Sequence, residues 1–230
     1  MRVSRPILAA VVLLMAVPAA IAQEPAAPQI TVTGEGSASA VPDMAVVTLG
    51  ITSQDPEAGV AMGQASEVAG AILARLEGLG IAARDRQTSD LSLSPVWTNY
   101  DSGNERKITG YEASNQLTIR VRDLSGLGNV LGAVLEDGAN RLSGLSFGLQ
   151  EPGPVMAEAR RDAVSDAMER ARTMAEAAGV TLGPVMSISE VGGGSFPQPM
   201  MEMARASAVP VAAGEAVMSA RVNMVFAITQ

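Results

Sequence analysis

VMAEARRDAVSDAMERARTMAEAAGVTLGPVMSISEV, residues 155–191, reads as a long alanine-rich helix running into a strand. Pro152 and Pro154 suit a first helical turn, which needs no amide donor, and Gly179 suits a left-handed cap. Between Met156 and Ala178 there is neither Pro nor Gly. Ala159, Ala163, Ala167, Ala171 and Ala175 recur every four residues beside Met156, Val164, Met168 and Met174, which predicts a helix over 155–178. A row of small side chains lets such a helix lie close on a sheet. Its other side carries Asp162, Asp166 and Glu169 interleaved with Arg160, Arg161, Arg170 and Arg172, the pattern of a solvated, ion-paired face.

Beyond this helix, residues 184–191 and 215–229 read as strands, the second with Met218, Ala220, Val222, Met224, Phe226 and Ile228 on one face. They form a long hairpin whose tip is the irregular, methionine-bearing stretch 192–214. Before the helix, 30–36 (ITVTGEG) and 44–53 are expected to pair as a hairpin through Pro42-Asp43. Gly34-Glu35-Gly36 reads as a strand end, since no helix opens after it and no Lys sits nearby, as a phosphate loop requires. Asp55-Pro56-Glu57 opens a helix over 56–79 with the stripe Val68, Ile72, Leu76 and Leu79. Residues 91–98 and 108–122 are strands joined by a polar tip. The second turns Ala113, Leu117, Ile119 and Val121 to one side, with Asn115 among them, where its amide is expected to bond neighbouring backbone. Asp123 caps a helix over 124–137 with Leu124, Leu127, Leu131, Val134 and Leu135 inward, and 141–150 is a further strand. Strand, helix and strand recur in order in both halves. The predicted class is α+β, helices packed on largely antiparallel sheet, in one body or two intimately packed lobes.

The first residues resemble a secretory signal: Arg2 and Arg5, an apolar run from Ile7 to Val17, and Ala20-Ile21-Ala22 as a cleavage site. Export to the periplasm with cleavage after Ala22 is the expectation, followed by a linker over 23–28 and one domain over 29–230. The apolar run is about half of the roughly 20 residues a membrane span needs. The mature chain of 208 residues would carry a formal charge of −10, since both basic signal residues leave. An acidic chain with six aromatics after the signal repels phosphate backbones and offers few stacking platforms, which argues against nucleic-acid binding. Cysteine and histidine are both absent. Disulfides, thiol nucleophiles, imidazole bases and the usual zinc sites are excluded with them.

Several blocks, taken together, are similar to one family: ITVTGEGSASAVPDMAVVTLGI, GYEASNQLTIRVRDLSGLGNVL, GANRLSGLSFGL, AAGVTLGPVMSISE and VMSARVNMVFAI. The chain resembles the SIMPL domain family (DUF541) over essentially all of residues 29–229. That resemblance implies an exported envelope protein of mixed α and β structure, with no catalytic residues or cofactor to carry over. It also implies a link to oxidative-stress defence and, by analogy with the antigen branch, large ring-like homo-oligomers.

The residues favour a non-enzymatic role as an oligomer or partner-binding module. Trp97, Tyr100 and Tyr111 are interface candidates, because they gather half of the mature aromatics near one hairpin. One alternative is soft-metal chemistry: Met200, Met201 and Met203 are thioethers that could bind Cu(I) or act as an oxidant sink. Another is a carboxylate-dependent hydrolase built on Asp162, Asp166 and Glu169.

Overall fold

The computed structural model describes residues 27–97, 107–192 and 212–229. In order, these form β1 (Gln29–Ala40), β2 (Met44–Asp55), α1 (Ala58–Gly78), β3 (Arg86–Trp97), β4 (Ile108–Val121), α2 (Leu127–Glu136), β5 (Arg141–Gly148), α3 (Gly153–Ala178), β6 (Thr181–Glu190) and β7 (Ala216–Thr229). Two antiparallel sheets result, of order β1-β7-β6 and β3-β4-β2-β5. The fold is α+β, as the patterning predicts.

The same unit occurs twice. In β2-α1-β3-β4 and in β1-α3-β6-β7, a strand is followed by a helix, an edge strand, and a fourth strand that pairs between the other two. The first unit, with α2 and β5 added, is inserted between β1 and α3 of the second. Each has its own core. Val47, Leu49 and Ile51 of β2 and Leu117 and Ile119 of β4 meet Ile72 and Leu76 of α1, with Val130 and Val134 of α2. Ile30 and Val32 of β1 and Val222, Met224 and Phe226 of β7 meet the alanine row of α3.

That alanine row explains Gly34 and Gly36. A methyl group on Gly34 would strike the Ala163 carbonyl and lie 2.6 Å from Ala167 Cβ, and one on Gly36 would strike Ala159 and Ala163 backbone. Strand and helix thus touch backbone to backbone. The two glycines are the strand's half of a small-residue contact, not a strand end. The predicted caps of α3 hold: Pro152 and Pro154 lie at its start, and Gly179 closes it at φ 69° while Val180 N–H donates to the Ala175 carbonyl.

The structure departs from the patterning at four points. β1 and β2 do not pair with each other: β1 pairs β7 in one sheet and β2 pairs β4 and β5 in the other. Packing accompanies this choice: Gly34 and Gly36 of β1 lie against the alanine row of α3, which fixes β1 in the sheet that α3 covers. Leu135 points outward, 57% exposed, since the buried stripe of α2 is Leu127, Val130 and Val134. Leu124 and Asp123 belong to a preceding 3-10 turn, where Asp123 accepts from Ser125 N–H. Finally, Asp55 ends β2 and accepts from Glu57 N–H, so α1 begins at Ala58 with no acid in its first turn.

Replacing Gly34 with Ala is expected to cost about 3 kcal/mol of unfolding free energy, through overpacking of backbone that cannot yield. Gly63 of α1 has open space around it, so Gly63→Ala should stabilise by roughly 0.5–1 kcal/mol. Urea denaturation of the two variants checks the contrast.

Candidate functional site

The carboxylates of α3 line an open groove of about 890 Å³ with Glu35 of β1, Glu190 of β6 and Arg221 of β7. Their partners show what they do. Asp166 accepts from the Glu35 backbone N–H at 2.8 Å and pairs with Arg170, whose guanidinium donates to the Thr33 carbonyl at 3.1 Å. Thr33 and Glu35 lie two apart on β1, and alternate residues of an edge strand aim their backbone groups outward. The Asp166 and Arg170 pair therefore satisfies outward groups of β1 as a neighbouring strand would. In the other unit, β5 occupies the corresponding place beside β2. The Glu35 amide, with Arg170 behind it, holds Asp166 below the usual carboxylate range despite desolvation. Arg160 pairs with Glu190 at 3.0 Å, and Arg221 with Glu35 at 2.6 Å. A glycosidase-like pair needs one carboxyl kept protonated. Here Asp166 is held ionised by its hydrogen bonds, and Asp166, Glu190 and Glu35 are each paired with an arginine.

A second polar cluster sits where the chain passes between the units. Asp85, 5% exposed in the 3-10 turn Ala83–Asp85, is held bidentately by Arg122 at 2.7 and 2.8 Å. Arg122 also donates to the Gln150 side chain, which in turn donates to the Asp43 and Arg122 carbonyls. Gln150 N–H donates to Asp43 Oδ1 at 2.7 Å. Asp43 and Gln150 stand on the two connections, 41–43 and 149–152, so one network ties both crossings together and anchors them to the β2-α1-β3-β4 unit. The Arg122 hydrogen bonds keep the Asp85 carboxyl below its usual range against the cost of burial. Asp43, Asp85, Arg122 and Gln150 were invisible to pattern reading, since their partners lie 28 to 107 residues apart.

Apolar side chains stand exposed on two edge strands. Leu91 and Leu93 of β3 pair with Asn115 and Ala113 and so share the α1 side of the sheet, but α1 covers β2 and β4 and leaves them bare. Val185 and Ile188 of β6 pair with Phe226 and Met224 on the α3 side, beyond the reach of α3. These are equivalent positions of the repeated unit. Trp97 lies at the end of β3, 43% exposed, whereas Tyr111 packs partly buried against the β2–β4 core. Only Trp97 of that described pair stands with the exposed strip. Tyr100 lies outside the described residues, as do Met200, Met201 and Met203. Asn115 is on the buried face, but its Oδ1 finds no hydrogen-bond partner among the described residues, contrary to the expected backbone bond.

The described chain is thus a twofold strand–helix–strand–strand α+β protein in which the Asp166–Arg170 and Asp85–Arg122 pairs tie elements of the fold together and apolar residues stand exposed on two edge strands. No helix among the described residues is long and apolar enough to cross a membrane. The chain belongs to the SIMPL family: the model of that family, described as a protein of unknown function (DUF541), matches residues 30–226. Similar proteins include the 26 kDa periplasmic immunogenic protein of Brucella melitensis biotype 1, 38% identical over 87% of this chain and 84% of that protein. The uncharacterized protein YggE of Escherichia coli K12 is 30% identical over 83% of this chain and 77% of its own. YggE of Edwardsiella ictaluri is 29% identical, over 76% and 72%.

Asp85→Asn should cost about 2 kcal/mol at neutral pH, because it breaks a charge-assisted pair whose acid is buried and whose arginine is partly solvated. The folded pKa of Asp85 is lowered, so its contribution is fully present above the unfolded value of about 3.9 and is lost as pH falls through the folded value. Denaturation midpoints of wild type and variant should therefore stay apart above about pH 5 and converge at lower pH.

Proposed function

We propose that this protein acts without catalysis, as a homo-oligomer or partner-binding protein of the bacterial envelope that supports oxidative-stress tolerance. The observation that carries the proposal is the pair of equivalent open edges, β3 and β6. An edge strand with unpaired backbone and apolar side chains is a template for another strand, and soluble proteins guard against it. Here the guard is present on β1, through Asp166 and Arg170, and the outer side of β2 is filled by β5. β3 and β6 instead expose Leu91, Leu93, Trp97, Val185, Met186 and Ile188. Strand addition between copies would cover both edges, and edges of this kind on one chain suit a closed ring.

The absence of His and Cys removes the commonest bases and nucleophiles, which supports the non-catalytic half of the reading. The periplasmic part of the proposal, with cleavage after Ala22, is supported by the signal-like pattern of residues 1–22 and by the name of the Brucella relative. The stress role rests on the family resemblance.

Sedimentation of the mature protein should give a mass several times that of one chain. Leu91→Lys with Leu93→Glu on β3, or Val185→Lys with Ile188→Glu on β6, should lower that mass while leaving circular dichroism unchanged. A wild type that is monomeric at every concentration and captures no partner on crosslinking in cells would overturn the reading.

A further inference from the structure

We propose that Met186 of β6 is a peroxide-sensitive modification site, and that its sulfoxide closes the β6 edge to a second copy of the chain. The second half rests on the reading of β6 as a contact between copies. The first half stands on the site itself.

The chain has no cysteine, so thioethers are its readiest targets for a peroxide. Met156, Met218 and Met224 are buried between α3 and its sheet, where packing shields the sulfur. Met168, Met174 and Met186 are exposed. The first two stand on α3, away from any strand edge that is open to pairing. Met186 is the extra residue of a bulge: Val185 lies opposite Phe226 and Ser187 opposite Val225, so β7 offers it no partner. It is 54% exposed and falls between Val185 and Ile188 in the apolar strip of the edge.

The equivalent edge differs at this one position. Leu91-Ser92-Leu93-Ser94 of β3 and Met186-Ser187-Ile188-Ser189 of β6 follow the same pattern, and Leu91 is as exposed as Met186. β3 contains no methionine. A peroxide therefore alters one of the two edges and leaves the other apolar.

The step is an oxygen transfer. The Met186 sulfur attacks the outer oxygen of a hydroperoxide, an S–O bond forms as the O–O bond breaks, and the sulfur gives up two electrons. The rest of the peroxide keeps the proton and leaves as water or an alcohol. A flexible apolar side chain becomes a polar one that holds water, and a strand laid along β6 would strip that water away. A copy already seated on β6 covers the sulfur instead. Oxidation and assembly thus oppose each other by linkage.

Hydrogen peroxide is the probe, added to the dilute mature protein, with oxygen gain at each methionine followed by peptide mass spectrometry. Met186 should oxidise at least about tenfold faster than Met224. After concentration, the oxidised wild type should sediment with a lower mass than the untreated protein, with circular dichroism unchanged. Met186→Leu, given the same treatment, should keep its mass. Oxidation of Met186 no faster than that of Met224 would overturn the modification site. Fully oxidised wild type of unchanged mass, or a Met186→Leu protein that loses mass as the wild type does, would overturn the closing of the edge. An untreated wild type that is monomeric at every concentration would remove the assembly reading and the closing with it, while faster oxidation of Met186 would still establish the site.

Discussion

Backbone contact between α3 and β1 is the constraint on which the second unit rests. Gly34 and Gly36 have no side chains, and Ala159, Ala163 and Ala167 present only methyl groups, so the helix comes close enough for its polar side chains to reach the strand's own amides and carbonyls. From that distance Asp166 and Arg170 bond Glu35 and Thr33. A bulkier row on either element would hold the helix away and leave the β1 edge open. The packing and the polar clamp are one device. It uses the same helix for the core and for the protection of an edge.

The other unit solves the same geometry differently. Its first strand, β2, carries Val47, Leu49 and Ile51 on the core side, too large for such close approach, and its outer side is filled by a real strand, β5. What the two units share is the strand left over. β3 and β6 each follow the helix, each pair on one side only, and each carry apolar residues on the helix side beyond the helix. A fold in which one unit occurs twice presents such equivalent surfaces twice.

Periodicity made the long elements legible. The alanine row, the cap residues of α3, the alternation of β4 and the apolar face of β7 are local patterns, and the structure places all of them as read. Partner choice was not legible. β1 and β2 are neighbours in sequence with a turn between them, yet belong to different sheets because pairing depends on a helix more than a hundred residues away. Leu135 shows the limit inside a helix: in a ten-residue element, one residue of phase decides which leucine is buried. The Asp43, Asp85, Arg122 and Gln150 network has no periodic signature at all, since three strand ends and one turn must meet before it exists. Trp97 and Tyr111 looked alike as aromatics near one hairpin, and the strand register separated them.

Asn115 retains a buried oxygen without a partner among the described residues, beside Leu91 across the β3–β4 ladder. Such a group carries a cost of roughly 1–3 kcal/mol, so a packed neighbour that supplied a donor there would be favoured.

Amide hydrogen exchange on the dilute mature protein, compared with the same protein concentrated, tests the account most directly. The account predicts a Glu35 amide that is slow at both concentrations, because Asp166 holds it, and alternate amides of β3 and β6 that are fast when dilute and slow when concentrated. A fast Glu35 amide, or outward amides of β3 and β6 whose rates ignore concentration, would contradict it.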